Sequence, residues 1–123
     1  MTIRDAISQV KDLRTNTGSA SMLIHWLSEL DGKVKLDIID THNGGEDILF
    51  TPYADDVDRD TVLLIPAPYE SVYLWWLAAQ IDLANREIKS YNLSISKYNE
   101  EYQAFANFYN RTHMPKSSGR FIF

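Results

Sequence analysis

Three aspartates at alternate positions, Asp56, Asp58 and Asp60, are the densest set of hard-oxygen donors in the chain. They fill the first, third and fifth positions of a calcium-loop template, in which carboxylate oxygens surround a hard cation. That template also needs glycine at its sixth position, for a sharp turn, and glutamate at its twelfth, as a bidentate ligand. Thr61 and Ala67 stand there instead. Asp55–Asp60 therefore reads as a solvated acidic loop, and no metal is expected.

The other candidates for chemistry are isolated. His25, His42 and His113 form no i, i+4 pair, so none has a sequence neighbour to complete a metal site or an acid–base couple. His25, beside Trp26, reads as a partly buried helix residue, His42 as part of a turn and His113 as a helix end. Gly44 and Gly45 open neither a G-x-x-x-x-G-K nor a G-x-G-x-x-G phosphate cradle, and no serine sits in a G-x-S-x-G elbow. With no cysteine, disulfides, thiolate zinc sites and thiol nucleophiles are all excluded, which suits a reducing compartment. The chain is expected to be no enzyme and to carry no cofactor.

The elements that would position these residues are helical. Thr2, with Asp5 three residues on, approximates a capping box, and Ile3, Ala6, Ile7, Val10 and Leu13 follow at helical spacing. Asn16-Thr17-Gly18-Ser19 ends that element. A second helix is predicted from about Ser21 to Asp40, with an apolar stripe of Leu23, Trp26, Leu27, Leu30, Val34 and Ile38. Gly32 lies inside it and invites a local bend. Thr41–Gly45 is a stop. Within 42–67, Ile48-Leu49-Phe50 and Val62-Leu63-Leu64-Ile65 flank the acidic loop and are candidates for a short β-hairpin. Pro66 and Pro68 then impose an extended approach, and Pro68 suits the first turn of the next helix.

From Tyr69 onward Leu74, Leu77, Ile81, Ala84, Ile88, Tyr91, Ile95, Tyr98, Tyr102, Phe105 and Tyr109 alternate spacings of three and four. That is a heptad seam. One helix over it would be about 60 Å long at 1.5 Å per residue. The polar segment Ser90–Ser96 is a poor helix former and could instead turn the chain back, which favours two antiparallel helices. The fold class is all-α either way, a small bundle of three to four helices. Residues 1–115 form a single helical domain, and 116–123 a flexible tail ending on Phe121-Ile122-Phe123.

Composition narrows the partners. The 123 residues are 45% apolar, enough for one core. Twelve basic residues face seventeen acidic ones, for a net charge of −5, and the basic residues are dispersed. Duplex-binding domains show the opposite balance, so specific nucleic-acid binding is not expected. Val62–Pro68 and Val72–Ala79 fall short of the ~20 residues of a membrane span, and the N-terminal residues lack a signal-peptide layout. A cytoplasmic location is the expectation. Three Trp, seven Tyr and five Phe are the chain's distinctive resource. Trp75 and Trp76 are adjacent on a helix, so their side chains diverge by about 100°. At least one is a candidate for a protein interface, since Trp and Tyr join large apolar area to a polar tip.

Three stretches together carry a resemblance. They are Trp26-Leu27-Ser28-Glu29-Leu30-Asp31-Gly32; Leu64-Ile65-Pro66-Ala67-Pro68-Tyr69 running into Tyr73-Leu74-Trp75-Trp76-Leu77-Ala78-Ala79-Gln80-Ile81-Asp82; and Phe108-Tyr109-Asn110-Arg111-Thr112-His113-Met114-Pro115. From Thr2 to Pro115 the chain resembles the head–tail connector (adaptor) proteins of tailed bacteriophages and prophages. The resemblance implies an all-α subunit of a homo-oligomeric ring. The ring would sit below the portal protein, extend the DNA channel and dock tail or head-closure proteins. It also implies a location in the virion, and in host cytoplasm during assembly, with no catalytic residue. Another head-closure or tail-completion protein, or a prophage-encoded protein-binding regulator, is the alternative. A closed ring needs two different patches per subunit. Trp75, Trp76 and the apolar end Phe121, Ile122 and Phe123 are the candidate interface residues.

Overall fold

The computed structural model describes residues 1–116, in which four helices account for most of the chain and no strand forms. The first helix, α1, spans Ile3–Leu13. Its start is built as the sequence predicts: the Thr2 hydroxyl accepts from the Asp5 amide while the Asp5 carboxylate accepts from the Thr2 amide, both at 3.1 Å. Ile3, Ala6, Ile7 and Val10 face inward, and Asn16 and Gly18, both at positive φ, turn the chain after its end.

Helix α2 spans Ala20–Asp37, capped by the Ser19 hydroxyl, and continues unbroken through Gly32. It buries Leu23, Ile24, Leu27, Leu30 and Val34, and with them the carboxylate of Asp31. Two short 3₁₀ turns follow, Ile39–Thr41 and Gly45–Asp47. Gly45 has no room for a side chain, because a Cβ there would run into the Ile39 carbonyl.

The hairpin expected in 42–67 does not form among the described residues. Residues 59–63 pair instead with the start of α1: Ile3 and Arg4 amides donate to the Thr61 and Arg59 carbonyls at 3.0 and 2.9 Å, and Leu63 donates to Met1. An isolated bridge joins Thr2 to Val62. The reason is local, since the first amides of a helix have no intrahelical acceptor and these carbonyls supply one.

Helix α3, Ser71–Ala84, is apolar around most of its circumference and buries Val72, Tyr73, Leu77, Ala78, Ala79, Ile81 and Asp82. Pro68 lies before this helix, in the turn closed by the Tyr69 amide on the Pro66 carbonyl, and not in its first turn. Helix α4 spans Ile88–Thr112 and runs antiparallel to α3. The pairing is read from Asp82 with Ser94, Trp76 with Tyr98 and Ser71 with Glu101.

The reversal falls at Asn85–Glu87, earlier than Ser90–Ser96, which is helical. Arg86 has φ +60°, its amide donates to Leu83, and the Glu87 amide donates to the Asp82 carbonyl. This is the Schellman end of a helix, in which the left-handed position is usually glycine. Arginine there costs about 1 kcal/mol in backbone strain. The heptad seam is therefore interrupted, and Ala84 and Ile88, at the tip, are exposed. Beyond α4 the chain is tied down: Pro115 bridges His42, Asn43 donates to the Met114 carbonyl, and Lys116 donates to Thr41 at 3.0 Å. Phe121, Ile122 and Phe123 lie outside the described residues.

Candidate interaction surface

Two buried carboxylates hold the surface features in place. Asp31, on α2, is fully enclosed and collects three donors: the Tyr53 hydroxyl at 2.5 Å, the Tyr73 hydroxyl at 2.6 Å and the Leu64 amide at 3.1 Å. The Tyr73 oxygen in turn accepts from the Ile65 amide at 2.6 Å. One side chain on α2 thereby fixes both ends of the irregular segment 53–65. Burial pushes the Asp31 carboxyl above its ordinary range, against the opposing pull of the two hydroxyls and the amide. Burial beside that carboxylate also drives the Tyr53 and Tyr73 phenols upward.

The second carboxylate, Asp82 on α3, receives a bidentate Arg14, Nε at 2.9 Å and Nη2 at 3.2 Å. The Ser94 hydroxyl donates to it at 2.8 Å and accepts from Arg14 at 3.0 Å. This closed triangle joins the end of α1 to α3 and α4, with every polar atom of the carboxylate and hydroxyl used. It also explains why Ser94 is tolerated inside a helix.

A third polar contact closes the C-terminal end. His42 is buried, with Nδ1 2.6 Å from the Ile38 carbonyl and Nε2 2.8 Å from the Asn110 side-chain oxygen. Its ring stands edge-on to Tyr109, which stacks on His113 at 3.8 Å. The fold thus brings His42 and His113 to 6.4 Å, although 71 residues separate them in sequence. His25 is exposed on α2, 3.6 Å from Glu29 four residues on, so it does have an i, i+4 partner, contrary to the expectation, and it is not the partly buried residue its neighbour Trp26 suggested.

Above the Asp31 network the segment 49–64 forms an open apolar cleft of about 310 Å³. Leu49, Phe50, Pro52, Val57, Val62 and Leu64 line it, with Leu49 86% and Val62 66% exposed. The acidic loop Asp55–Asp60 gives it Val57 and leads into Thr61 and Val62. Asp60 pairs with Arg4 and Asp55 accepts from Ser21 at 2.7 Å, while the Asp58 carboxylate accepts its own loop's Asp60 amide. These carboxylates are thus directed outward or into turn bonds, and do not converge on a point. Among the described residues no group of three or more His, Asp or Glu stands close enough to hold a metal ion.

The chain matches no family model, no curated protein and no solved structure. Fold and site therefore rest on the residues themselves.

Trp75 and Trp76, the two candidates on α3, are both partly buried against the core. They differ in their bonds. The Trp76 indole N–H donates to the Trp26 carbonyl at 2.8 Å, and its ring packs on Tyr98 at 5.1 Å. Trp76 is thus a tie between α2, α3 and α4. No side-chain hydrogen bond of Trp75 is found among the described residues. Tyr98 and Tyr102, also on this side, have buried hydroxyls with no protein partner there, and burial pushes Tyr102 up to about 12. Lys33 sits over the Tyr102 ring at 5.5 Å.

The residues that sequence reasoning passed over are Arg14, Asp31, Asp82, Ser94 and Asn110. A signal existed for two of them. Asp31 follows Leu30 on the buried side of α2, and Asp82 is the one charged residue in a helix that is otherwise almost wholly apolar. A charge in such a place must be paired.

Proposed function

We propose that this chain is a structural virion-assembly protein, a head–tail connector (adaptor) subunit that forms a ring below the portal and docks the tail. The observation that carries this reading is the apolar cleft of 49–64. Two of its apolar side chains, Leu49 and Val62, stand mostly in solvent, while Tyr53 and Leu64 beside them are anchored by the buried Asp31 carboxylate. Holding Leu49 and Val62 in water is a cost, and covering them with another protein removes it.

The rest of the molecule suits the same work. Four helices pack about a shared core, as a small bundle, and polar ties brace that core at both ends of the α3–α4 pair. No helix among the described residues is long and apolar enough to cross a membrane. The net charge of −5 suits a channel wall that repels phosphate and lets DNA slide past without gripping it. Trp75 and the apolar residues Phe121, Ile122 and Phe123 are assigned to contacts with neighbouring subunits, the portal or the tail. The protein works by surfaces, without catalysis or cofactor, in the virion and in host cytoplasm during assembly.

The experiment is removal of the gene from the phage or prophage that carries it, with electron microscopy of the particles. DNA-filled heads without tails, restored to whole virions by the gene in trans, are the expected outcome. Intact virions in undiminished number would overturn the reading.

A further inference from the structure

The ring reading requires two different patches on each subunit, and the structure offers a complementary pair. One is the cleft of 49–64. The other is the tip of the α3–α4 pair, where Leu83, Ile88 and Leu93 are 49%, 57% and 58% exposed. Around these apolar side chains stand Arg86 and Lys89, with one carboxylate, Glu87, between them. In the cleft, by contrast, the lining residues Val57 and Thr61 are flanked in sequence by the exposed Asp56, Asp58 and Asp60, with one intervening base, Arg59. Of those three carboxylates only Asp60 is ion-paired among the described residues.

The two patches cannot meet within one chain. Val62, in the cleft, bridges Thr2 at the start of α1. Asn85, at the tip, donates to the Asn16 carbonyl just past the end of α1, at 3.1 Å. The eleven residues of α1 separate them by roughly 16 Å at 1.5 Å per residue. Patches at opposite ends of a rigid element, apolar on both sides and opposite in charge, describe a heterologous, head-to-tail contact.

Arg86 adds a separate argument. It occupies a left-handed position, φ +60°, where glycine would relieve the backbone. A strained residue whose side chain makes no hydrogen bond or ion pair among the described residues points to a role outside the fold.

We propose that the occupant of the 49–64 cleft is the α3–α4 tip of a second copy of this chain, with Arg86 and Lys89 facing Asp56, Asp58 and Asp60. This inference rests on the ring reading and names the faces that build it.

The test is sedimentation velocity on the full chain across a concentration series, at low and high salt, with thermal melting as the folding control. Two variants each spoil one face at exposed positions: Leu93→Asp at the tip and Leu49→Ser/Val62→Ser in the cleft. Wild type should self-associate, less so at high salt. Each variant alone should be monomeric with near wild-type melting. Mixed together they should form one discrete dimer, because the intact tip of one fits the intact cleft of the other. Arg86→Gly should melt no lower than wild type yet associate roughly tenfold or more weakly, through the lost charge. Variants that assemble like wild type would overturn this inference and leave the ring to other faces. A mixture that stays monomeric would overturn the head-to-tail geometry. A wild-type chain that remains monomeric throughout would overturn both the inference and a self-assembling ring.

Discussion

Asp31→Ala tests the claim that one buried carboxylate fixes the interaction cleft. The substitution strands three donors at once. The Tyr73 hydroxyl is fully enclosed and cannot turn to water, so its lost acceptor carries the full penalty, about 1–3 kcal/mol. The Tyr53 hydroxyl and the Leu64 amide are only part-buried and can be partly rehydrated, at about 1 kcal/mol each. Removing a carboxylate that burial already disfavours returns a fraction of this. The net expectation is a loss of about 3 kcal/mol, or a melting point lower by roughly 10 °C for a domain of this size. Asp31→Asn keeps one acceptor and should lose about half as much. The pH dependence has a definite sign. Because the folded-state value lies above 3.8, the native protein holds the proton longer than the unfolded chain. The advantage of wild type over Asp31→Asn is therefore greatest at low pH and shrinks as pH rises from 3.8 through the raised value. Urea melts of the three proteins between pH 3 and 7, with tyrosine fluorescence for the cleft, would decide it. A loss below about 1 kcal/mol for Asp31→Ala, or an advantage that grows with pH, would refute the reasoning.

Three further outcomes are expected. Asp82→Ala leaves the Arg14 guanidinium and the Ser94 hydroxyl without their acceptor and should cost about 3–5 kcal/mol, against about 1 for Ser94→Ala, by chemical denaturation. Gly32→Ala should stabilise by up to about 1 kcal/mol, since its Cβ would meet only Phe50 at 3.7 Å, whereas Gly45→Ala should destabilise by driving the Ile39 carbonyl aside. Trp76→Ala should lower the melting point well beyond Trp75→Ala, because only Trp76 ties α3 to the α2 backbone and to Tyr98; the Trp75 variant should fold and associate poorly.

Much of the fold is legible in the chain. The capping box at Thr2 and Asp5, Ile3, Ala6, Ile7 and Val10 of α1 and Leu23, Leu27, Leu30 and Val34 of α2 follow from spacing and end signals, whereas Leu13 of the same stripe is exposed and the buried Ile24 lies outside it. The break between α3 and α4 was misplaced for a physical reason. Helix ends are recognised by glycine, and here the left-handed position is held by Arg86, while the polar run Ser90–Ser96 that looks like a turn is helical. Ser94 within it is a core residue, because Asp82 and Arg14 satisfy its hydroxyl from two other helices. No local pattern reveals such a partner. The hairpin failed for a related cause: the carbonyls of 59–61 serve the unpaired amides of α1, which lie more than fifty positions away in sequence. The candidate surface was half legible. Tryptophan and charge counts pointed to partner binding, but Trp76 is spent inside the fold, and the exposed cleft was visible only once Asp31 had gathered Tyr53, Leu64 and Tyr73.

The central claim is that this chain assembles onto a portal. Sedimentation of the purified chain with a portal protein of a tailed phage measures that directly. The account predicts one faster-moving species that contains both proteins, with a fixed whole-number ratio between ring and portal. A portal boundary unchanged in mass, with this chain sedimenting separately at every concentration, would contradict it.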